Sequence, residues 1–214
     1  MAKPKSKYYV VWKGKETGVF DSWDKCKRQI QNFTGAQYKS FKTKEAAENA
    51  FKKSPRDFIG KDVFESELFS EQIAKIGKPI LESISVDAAF DGKVMEYKGV
   101  YTKTKKVLFT LGPFEDATNN IGEFLAIVHA FGYLKKQKSS APIYSDSITA
   151  IHWVKTHKAN TKLKATAVNK SLFYLIERAE KWLNQNKYPN RLLKWETKAW
   201  GENPADFGRK KNHK

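Results

Sequence analysis

Four carboxylates in the sequence stand where they could bind metal ions. Asp87 lies in an alternating apolar and polar segment that predicts a half-buried strand, and Asp146 ends a second, shorter strand. Glu123 falls in the first turn of a predicted apolar helix, and Asp206 falls in the first turn of a predicted last helix that opens at Asn203. Carboxylate oxygens are the protein ligands that Mg²⁺ prefers. The four acids together therefore suggest a divalent metal site.

Each of these acids also has an ordinary structural explanation. Glu123 could close a capping box by reaching back to the backbone N–H of Asn120. Asp87 could pair with a lysine, and Asp146 could cap the helix that follows it. Asp206 could simply lie favourably at the positive end of a helix. Taken one at a time these explanations are the better ones, and only the combination of four acids favours a metal site.

The charge of the chain points to a polyanionic partner. The 214 residues carry a formal net charge of +17, and the positive charge lies in residues 1–53 and 80–214. Basic surfaces of this kind favour nucleic acid. The single cysteine excludes an intrachain disulfide, and no apolar segment approaches the ~20 residues of a membrane span. We therefore expect a monomeric cytoplasmic protein that does not bind membranes.

Residues 1–53 predict a small β-β-α-β-α domain. The predicted strands and helices are 7–13, 18–20, 23–32, 38–41 and 44–52. Tyr9, Trp23 and Tyr38 are interleaved with lysines such as Lys39. Aromatic faces beside cations suit stacking on bases or sugars and contact with phosphates, although core packing is the alternative for each ring.

The rest of the chain predicts a connector and a larger domain. Residues 54–79 contain glycines, prolines and a short acidic helix at 63–74, and they predict a connector. Residues 80–214 follow the order β-β-β-α-β-α-α-β-α. This order implies a mixed α/β fold with a five-stranded sheet and flanking helices. In such sheets, ligands bind at the ends of the strands.

Both domains carry motifs that resemble type 1 ribonuclease H. Residues 8–23 and 35–41 are similar to the hybrid-binding domain at the N-terminus of many members of that family. Thr-Asn-Asn-Ile-Gly-Glu (118–123), Tyr-Ser-Asp-Ser (144–147) and Asn-Pro-Ala-Asp (203–206) are similar to motifs of its catalytic domain. The resemblance implies a hybrid-binding domain at 1–53, a connector at 54–79 and a ribonuclease H-like catalytic domain at 80–214.

The resemblance also implies an activity and a set of site residues. It implies an endonuclease that hydrolyses the RNA strand of RNA/DNA hybrids and leaves 5′-phosphate products. Two Mg²⁺ ions, or Mn²⁺ as a substitute, would be bound by catalytic Asp87, Glu123, Asp146 and Asp206. The residues implied to contact nucleic acid are Tyr9, Trp23, Tyr38, Lys39, Thr118, Asn119, Asn120 and Asn169. Double-stranded RNA is an alternative ligand of the N-terminal domain.

Two departures from the family pattern keep other functions open. The loop before Asp206 lacks the histidine that the family often has, and Glu196 stands at that position. Asp116 replaces an arginine that is common shortly before Thr118. The alternatives are a catalytically weak or inactive protein that binds hybrids or double-stranded RNA, and another nuclease of the same fold.

Overall fold

The chain folds into two compact units, residues 1–77 and 78–214. The computed structural model describes residues 7–60, 68 and 70–208. In this part of the chain, no helix combines the length and the apolar character needed to cross a bilayer.

The first unit is built on a three-stranded antiparallel sheet with β1 in the centre. Its elements are β1 (Tyr8–Lys13), β2 (Gly18–Phe20), α1 (Trp23–Ile30), β3 (Gln37–Phe41), α2 (Lys44–Phe51), a 3-10 turn (Pro55–Asp57) and α3 (Ser70–Ile76). The hydroxyls of Ser22 and Thr43 cap α1 and α2 by accepting backbone N–H groups. The predicted β-β-α-β-α order of this domain is confirmed.

A small core on one face of this sheet joins β1, β3 and α2. Its buried residues are Val10, Phe41, Ala47 and Ala50. Phe58 packs against the same core, because its ring stacks on Trp12 with centroids 5.6 Å apart and lies 5.8 Å from the ring of Phe41. Residues just after position 54, where the predicted connector begins, therefore contact the core of the first unit.

The second unit is built on a five-stranded mixed sheet in the order β6-β5-β4-β7-β8. Its elements are β4 (Ile84–Phe90), β5 (Val94–Tyr101), β6 (Val107–Glu115), α4 (Asn119–Lys136), β7 (Ile143–Ser145), α5 (Ile148–Lys155), α6 (Lys170–Gln185), β8 (Leu192–Lys194) and α7 (Thr197–Trp200). Strands β4, β5 and β6 are antiparallel, whereas β4, β7 and β8 are parallel. The predicted mixed sheet with flanking helices is confirmed.

Helix α4 is the most deeply buried helix of the second unit and packs closely on the sheet. Phe124, Ile127 and Phe131 are fully buried in the core. Gly122 permits the close approach, since a Cβ there would lie 2.5 Å from Sδ of Met95 and 2.7 Å from Cβ of Ala88. The glycine thus brings the first turns of α4 against β4 and β5.

Three details of the predicted elements are wrong. Thr118 rather than Asn120 caps α4, because its Oγ1 accepts the backbone N–H of Ile121 at 3.4 Å. The last helix predicted from Asn203 is a turn in the residues described up to 208. The Asn203 side chain accepts the backbone N–H of Ala205, a local bond that competes with a helix. The short helix α7 was not predicted at all.

The predicted connector helix at 63–74 can be assessed only in part. Residues 63–67 and 69 lie outside the described residues. The observed helix α3 covers Ser70–Ile76, so its end lies two residues beyond the predicted one.

We expect His129, in α4, to make the stability of the second unit depend on pH. Its ring stacks on Phe109 with centroids 4.1 Å apart. Burial, followed by the charges of Lys136 and Arg178, lowers the pKa of His129 below its ordinary value of 6.5. The unfolded chain therefore binds this proton more readily than the native protein, so the free energy of unfolding should fall as the pH falls through about 6.5.

Replacing His129 with phenylalanine retains a stacked ring and removes the proton site. We expect the wild type to lose more unfolding free energy than His129→Phe when the pH falls from about 7.5 to about 5.5. Urea denaturation of both proteins at the two pH values measures the difference. Equal losses would show that His129 does not contribute to the pH dependence.

Candidate active site and nucleic-acid surface

Three of the four predicted ligands meet between the neighbouring strands β4 and β7 and helix α4. Asp87, Glu123 and Asp146 each offer one carboxylate oxygen, and these oxygens lie within 4.8 Å of one another. The parallel register of β4 and β7 places Ser85 opposite Tyr144, so Asp87 and Asp146 follow at the same level two residues later. Asp87 and Glu123 are each only 8% exposed. The sheet and the close packing of α4 thus bring acids from three elements to one place.

Asp206, the fourth predicted ligand, approaches this cluster from the turn after α7. It is not one of the three acids whose oxygens lie within 4.8 Å of one another. Its negative charge nevertheless helps to raise the pKa of Asp87, so the two carboxylates interact electrostatically. Its Oδ1 accepts the backbone N–H of Gly208 at 2.7 Å. The structure therefore places Asp206 beside the cluster rather than within it.

Asn203 connects this turn to the rest of the site. Its amide nitrogen donates to the carbonyl oxygen of Val86 at 2.9 Å and to Oδ1 of Asp146 at 3.4 Å. Its own carbonyl oxygen accepts the backbone N–H of Asp206 at 2.8 Å. Asn203 belongs to the sequence motif 203–206, but the motif alone does not indicate its role. Because Asn203 is buried and bonded to these partners, it helps to orient Asp146 and Asp206.

The electrostatics of the cluster suit a divalent cation. The pKa of Asp87 is raised to about 8, mainly by burial and then by the charge of Asp146, with smaller contributions from Glu123 and Asp206. A backbone hydrogen bond from Ala88 opposes this rise. A bound cation would offset the repulsion between the carboxylates and release the proton from Asp87. An all-oxygen ligand set fits hard ions such as Mg²⁺ or Mn²⁺.

The ordinary structural explanations do not account for Glu123, Asp146 or Asp206. Glu123 lies five residues after the cap Thr118, which is not capping-box spacing. Ser147, not Asp146, caps α5 through its hydroxyl. Asp206 lies in a turn, so a helix N-terminus does not explain its position.

The predicted nucleic-acid residues at the start of α4 have different surroundings. Thr118 caps the helix, and the Asn119 amide donates to Oε1 of Glu123 at 2.9 Å. Asn119 therefore orients one of the clustered carboxylates. Asn120 is exposed. Of the three side chains, that of Asn120 is the most accessible to a ligand.

Asn169 is engaged within the protein. It is 1% exposed, and its amide nitrogen donates to Oδ2 of Asp116 at 2.8 Å and to the carbonyl oxygen of Lys164 at 3.0 Å. The hydroxyl of Thr166 donates to the same Oδ2 at 2.9 Å. Contact between Asn169 and a phosphate would therefore require the Asp116 carboxylate to move.

In the first unit, three predicted residues form an aromatic surface: Tyr9, Trp23 and Tyr38. The Trp23 ring lies 5.6 Å from Tyr9 and 5.9 Å from Tyr38 between centroids. Trp23 and Tyr38 are each 42% exposed. Lys39 does not join them, because its ammonium donates to the carbonyl oxygen of Phe58 at 2.8 Å on the opposite face of the sheet.

Comparison with known proteins agrees with the resemblance found in the sequence. A family model described as the ribonuclease H1 N-terminal domain matches residues 7–51. Ribonuclease H of Crithidia fasciculata is 43% identical over 42 residues, which is 20% of this chain and 8% of the relative. Human ribonuclease H1 is 28% identical over 122 residues, which is 56% of this chain and 40% of the relative. The chain therefore spans less than half the length of either relative.

A solved structure of ribonuclease H1 from Halobacterium salinarum NRC-1 aligns over 53% of this chain and 83% of its own, with 15% identity and a TM-score of 0.34. The match of the family model shows that residues 7–51 are similar to the ribonuclease H1 N-terminal domain. The resemblance of the chain to type 1 ribonucleases H with such a domain is confirmed.

Proposed function

We propose that this protein hydrolyses the RNA strand of RNA/DNA hybrids with divalent metal ions bound by Asp87, Glu123, Asp146 and Asp206. The observation that carries the proposal is the convergence of three carboxylate oxygens within 4.8 Å. This convergence occurs in a chain whose curated relatives are named ribonucleases H. Four carboxylates would balance the positive charge of two divalent ions.

The ligands have distinct roles in this proposal. When bound, two Mg²⁺ ions would activate a water, neutralise phosphate charge and stabilise the leaving 3′-oxygen, and Mn²⁺ could replace them. We assign Asp87, which interacts with all three other acids, to both ions. Asp206 would hold the ion that activates the water, and Glu123 and Asp146 would hold the ion near the leaving group. Endonucleolytic cleavage of this kind leaves a 5′-phosphate.

Hydrogen bonds within the protein orient these ligands before a metal binds. Asn119 donates to Glu123, and Asn203 donates to Asp146. Such partners of ligating carboxylates restrict their rotation and commonly affect metal affinity. The side-chain amides of Asn119 and Asn203, which contact the proposed ligands, therefore partly preorganise the site.

The N-terminal unit would anchor the duplex. We propose a hybrid-binding domain at 1–53, a connector at 54–79 and a catalytic domain at 80–214. The aromatic surface of Tyr9, Trp23 and Tyr38 would stack on the nucleic acid, with double-stranded RNA as an alternative ligand. Recognition of the RNA 2′-hydroxyl would allow the catalytic domain to spare DNA.

Removal of the central ring of the aromatic surface should weaken hybrid binding. We expect Trp23→Ala to bind a hybrid about tenfold more weakly, because stacking on one ring contributes about 1–3 kcal/mol. Phe51→Ala is the matched control, since Phe51 is an exposed aromatic on α2 outside this surface. Fluorescence anisotropy with a labelled hybrid in EDTA measures affinity without cleavage. Equal affinities of the two variants would remove Trp23 from the proposed interface.

A substrate comparison tests the proposed activity. The wild-type protein is incubated with a labelled RNA/DNA hybrid, duplex DNA or duplex RNA, with Mg²⁺ or with EDTA. We expect cleavage only in the RNA strand of the hybrid and only with Mg²⁺. Binding without cleavage would favour an inactive hybrid-binding protein, and cleavage of duplex DNA would favour another nuclease of the same fold.

A further inference from the structure

Lys98 is a half-buried cation next to the acid cluster. It lies on β5 directly opposite Asp87 on β4. Side chains that are directly opposite in an antiparallel pair project to the same face of a sheet. Lys98 therefore stands on the face that carries Asp87. The proposed metal chemistry gives this lysine no role.

The Lys98 side chain extends to the turn that contains Asp206. Its ammonium donates to the carbonyl oxygen of Asp206 at 3.4 Å. The same ammonium lies 4.2 Å from the centroid of the Phe207 ring. A cation over an aromatic face is attracted by the ring, more strongly where water is partly excluded. Lys98 thus makes two contacts with consecutive residues of one turn.

Ala205, in the middle of this turn, is fully buried, and polar contacts join the residues on either side of it to the sheet. Helix α7 ends at Trp200, and the residues described from 203 to 208 form no helix. Asn203 attaches the start of the turn to β4 through the carbonyl oxygen of Val86. Lys98 attaches the part of the turn that carries the carboxylate. The two residues therefore fix the turn at two different points.

We propose that Lys98 is a positioning residue that fixes Asp206 beside Asp87, an inference that rests on the proposed function. The turn contacts the cluster of Asp87, Glu123 and Asp146 through Asn203, whereas Lys98 contacts the turn at residues 206 and 207. Loss of Lys98 should therefore affect the ion assigned to Asp206 and leave the ion assigned to Glu123 and Asp146 largely unaffected.

Metal titration of Lys98→Met tests this inference without requiring catalysis. We expect calorimetry with Mn²⁺ to show one of two sites weakened about tenfold, within the 10–100-fold typical of residues that orient metal ligands. Lys106→Met is the charge-matched control, because Lys106 is exposed at the far end of the β5–β6 hairpin. It should bind Mn²⁺ as the wild type does. Lys98→Gln gives the same test if Lys98→Met does not fold.

Kinetics and a double-mutant cycle separate positioning from direct substrate contact. With the hybrid, kcat should fall about tenfold while KM stays within about twofold of the wild type. In an Asp206→Asn background, Lys98→Met should have little further effect on Mn²⁺ binding, because residues that act through one another are not additive. Lys98→Arg, which retains the cation, should restore most of the Mn²⁺ affinity.

Three results would overturn the inference. They are unchanged Mn²⁺ binding by Lys98→Met, a rise in KM with unchanged kcat, and full additivity with Asp206→Asn. If the wild-type protein does not cleave the hybrid, the proposed function fails, whereas the Mn²⁺ titration and the double-mutant cycle still decide the role of Lys98.

Discussion

Replacing Asp87 with asparagine should reduce hybrid cleavage by at least about 10³-fold, which corresponds to roughly 4 kcal/mol of lost transition-state stabilisation. Asp87 interacts electrostatically with all three other acids and is the ligand assigned to both ions. An amide is neutral and a weaker ligand for a hard cation. Single-turnover cleavage with saturating protein measures the chemical step directly. More than about a tenth of wild-type activity would contradict the assignment.

The same substitution should not destabilise the metal-free protein. The pKa of Asp87 is about 8 in the native protein against 3.8 as its ordinary value. The native state therefore retains a proton that the unfolded chain loses, so the wild type loses stability as the pH rises between these values. Above pH 8 the wild type carries the full free-energy cost of an ionised, buried Asp87, and Asp87→Asn does not carry this cost. Urea denaturation in EDTA should show Asp87→Asn at least as stable as the wild type there.

Asp91→Asn is the matched control for this prediction. Asp91 is an exposed acid in the turn just after β4, and its Oδ1 accepts the backbone N–H groups of Lys93 and Val94. An asparagine oxygen can accept the same bonds. Asp91→Asn should therefore retain wild-type cleavage, and equal losses in both variants would show that charge near β4, rather than Asp87 itself, matters.

Gly122→Val should both destabilise the second unit and impair the site. The first added carbon would lie 2.5 Å from Sδ of Met95 and 2.7 Å from Cβ of Ala88, so α4 must move away from the sheet. Overpacking of this kind costs about 3 kcal/mol. Because Glu123 follows Gly122 directly, its carboxylate should move away from Asp87. Chemical denaturation and hybrid cleavage measure the two effects.

Gly132→Val, on the same helix, is the control that separates the packing effect of Gly122→Val from the effect of valine on helix stability. Apart from its chain neighbours and the backbone of its own helix, a Cβ at Gly132 would meet no atom of the described residues within 4 Å. Valine is slightly better than glycine in a helix, so this variant should stay within about 0.5 kcal/mol of the wild type. If both variants lose the same stability, the close approach at Gly122 is not the cause.

Asp87, Glu123 and Asp146 could be predicted as site residues because each lies in or beside a strongly patterned segment. The alternation around Asp87 and the short apolar strand before Asp146 indicate two strands, and their parallel register places Asp87 level with Asp146. Glu123 follows a turn at the start of an apolar helix. Local pattern thus predicted which element carries each of these three acids, and the resemblance predicted that they meet.

Contacts set by register or by distant segments could not be predicted in the same way. Tyr38 and Lys39 are neighbours in sequence, but β3 projects them to opposite faces. Asn203 and Lys98 acquire their roles only when the last turn meets β4 and β5, more than a hundred residues earlier in the chain. The proline after Asn203 suggested a helix start, but the asparagine side chain stabilises a turn instead.

Analysis of the ends produced from the hybrid tests the central claim most directly. Mass spectrometry of fragments formed by wild-type protein with Mg²⁺ identifies the chemical group on each new end. Attack by a water activated at the carboxylate cluster predicts 5′-phosphate and 3′-hydroxyl ends in the RNA strand, absent with EDTA and in Asp87→Asn. Ends carrying 2′,3′-cyclic phosphate, or 5′-phosphate ends that persist in EDTA, would contradict metal-dependent hydrolysis at this site.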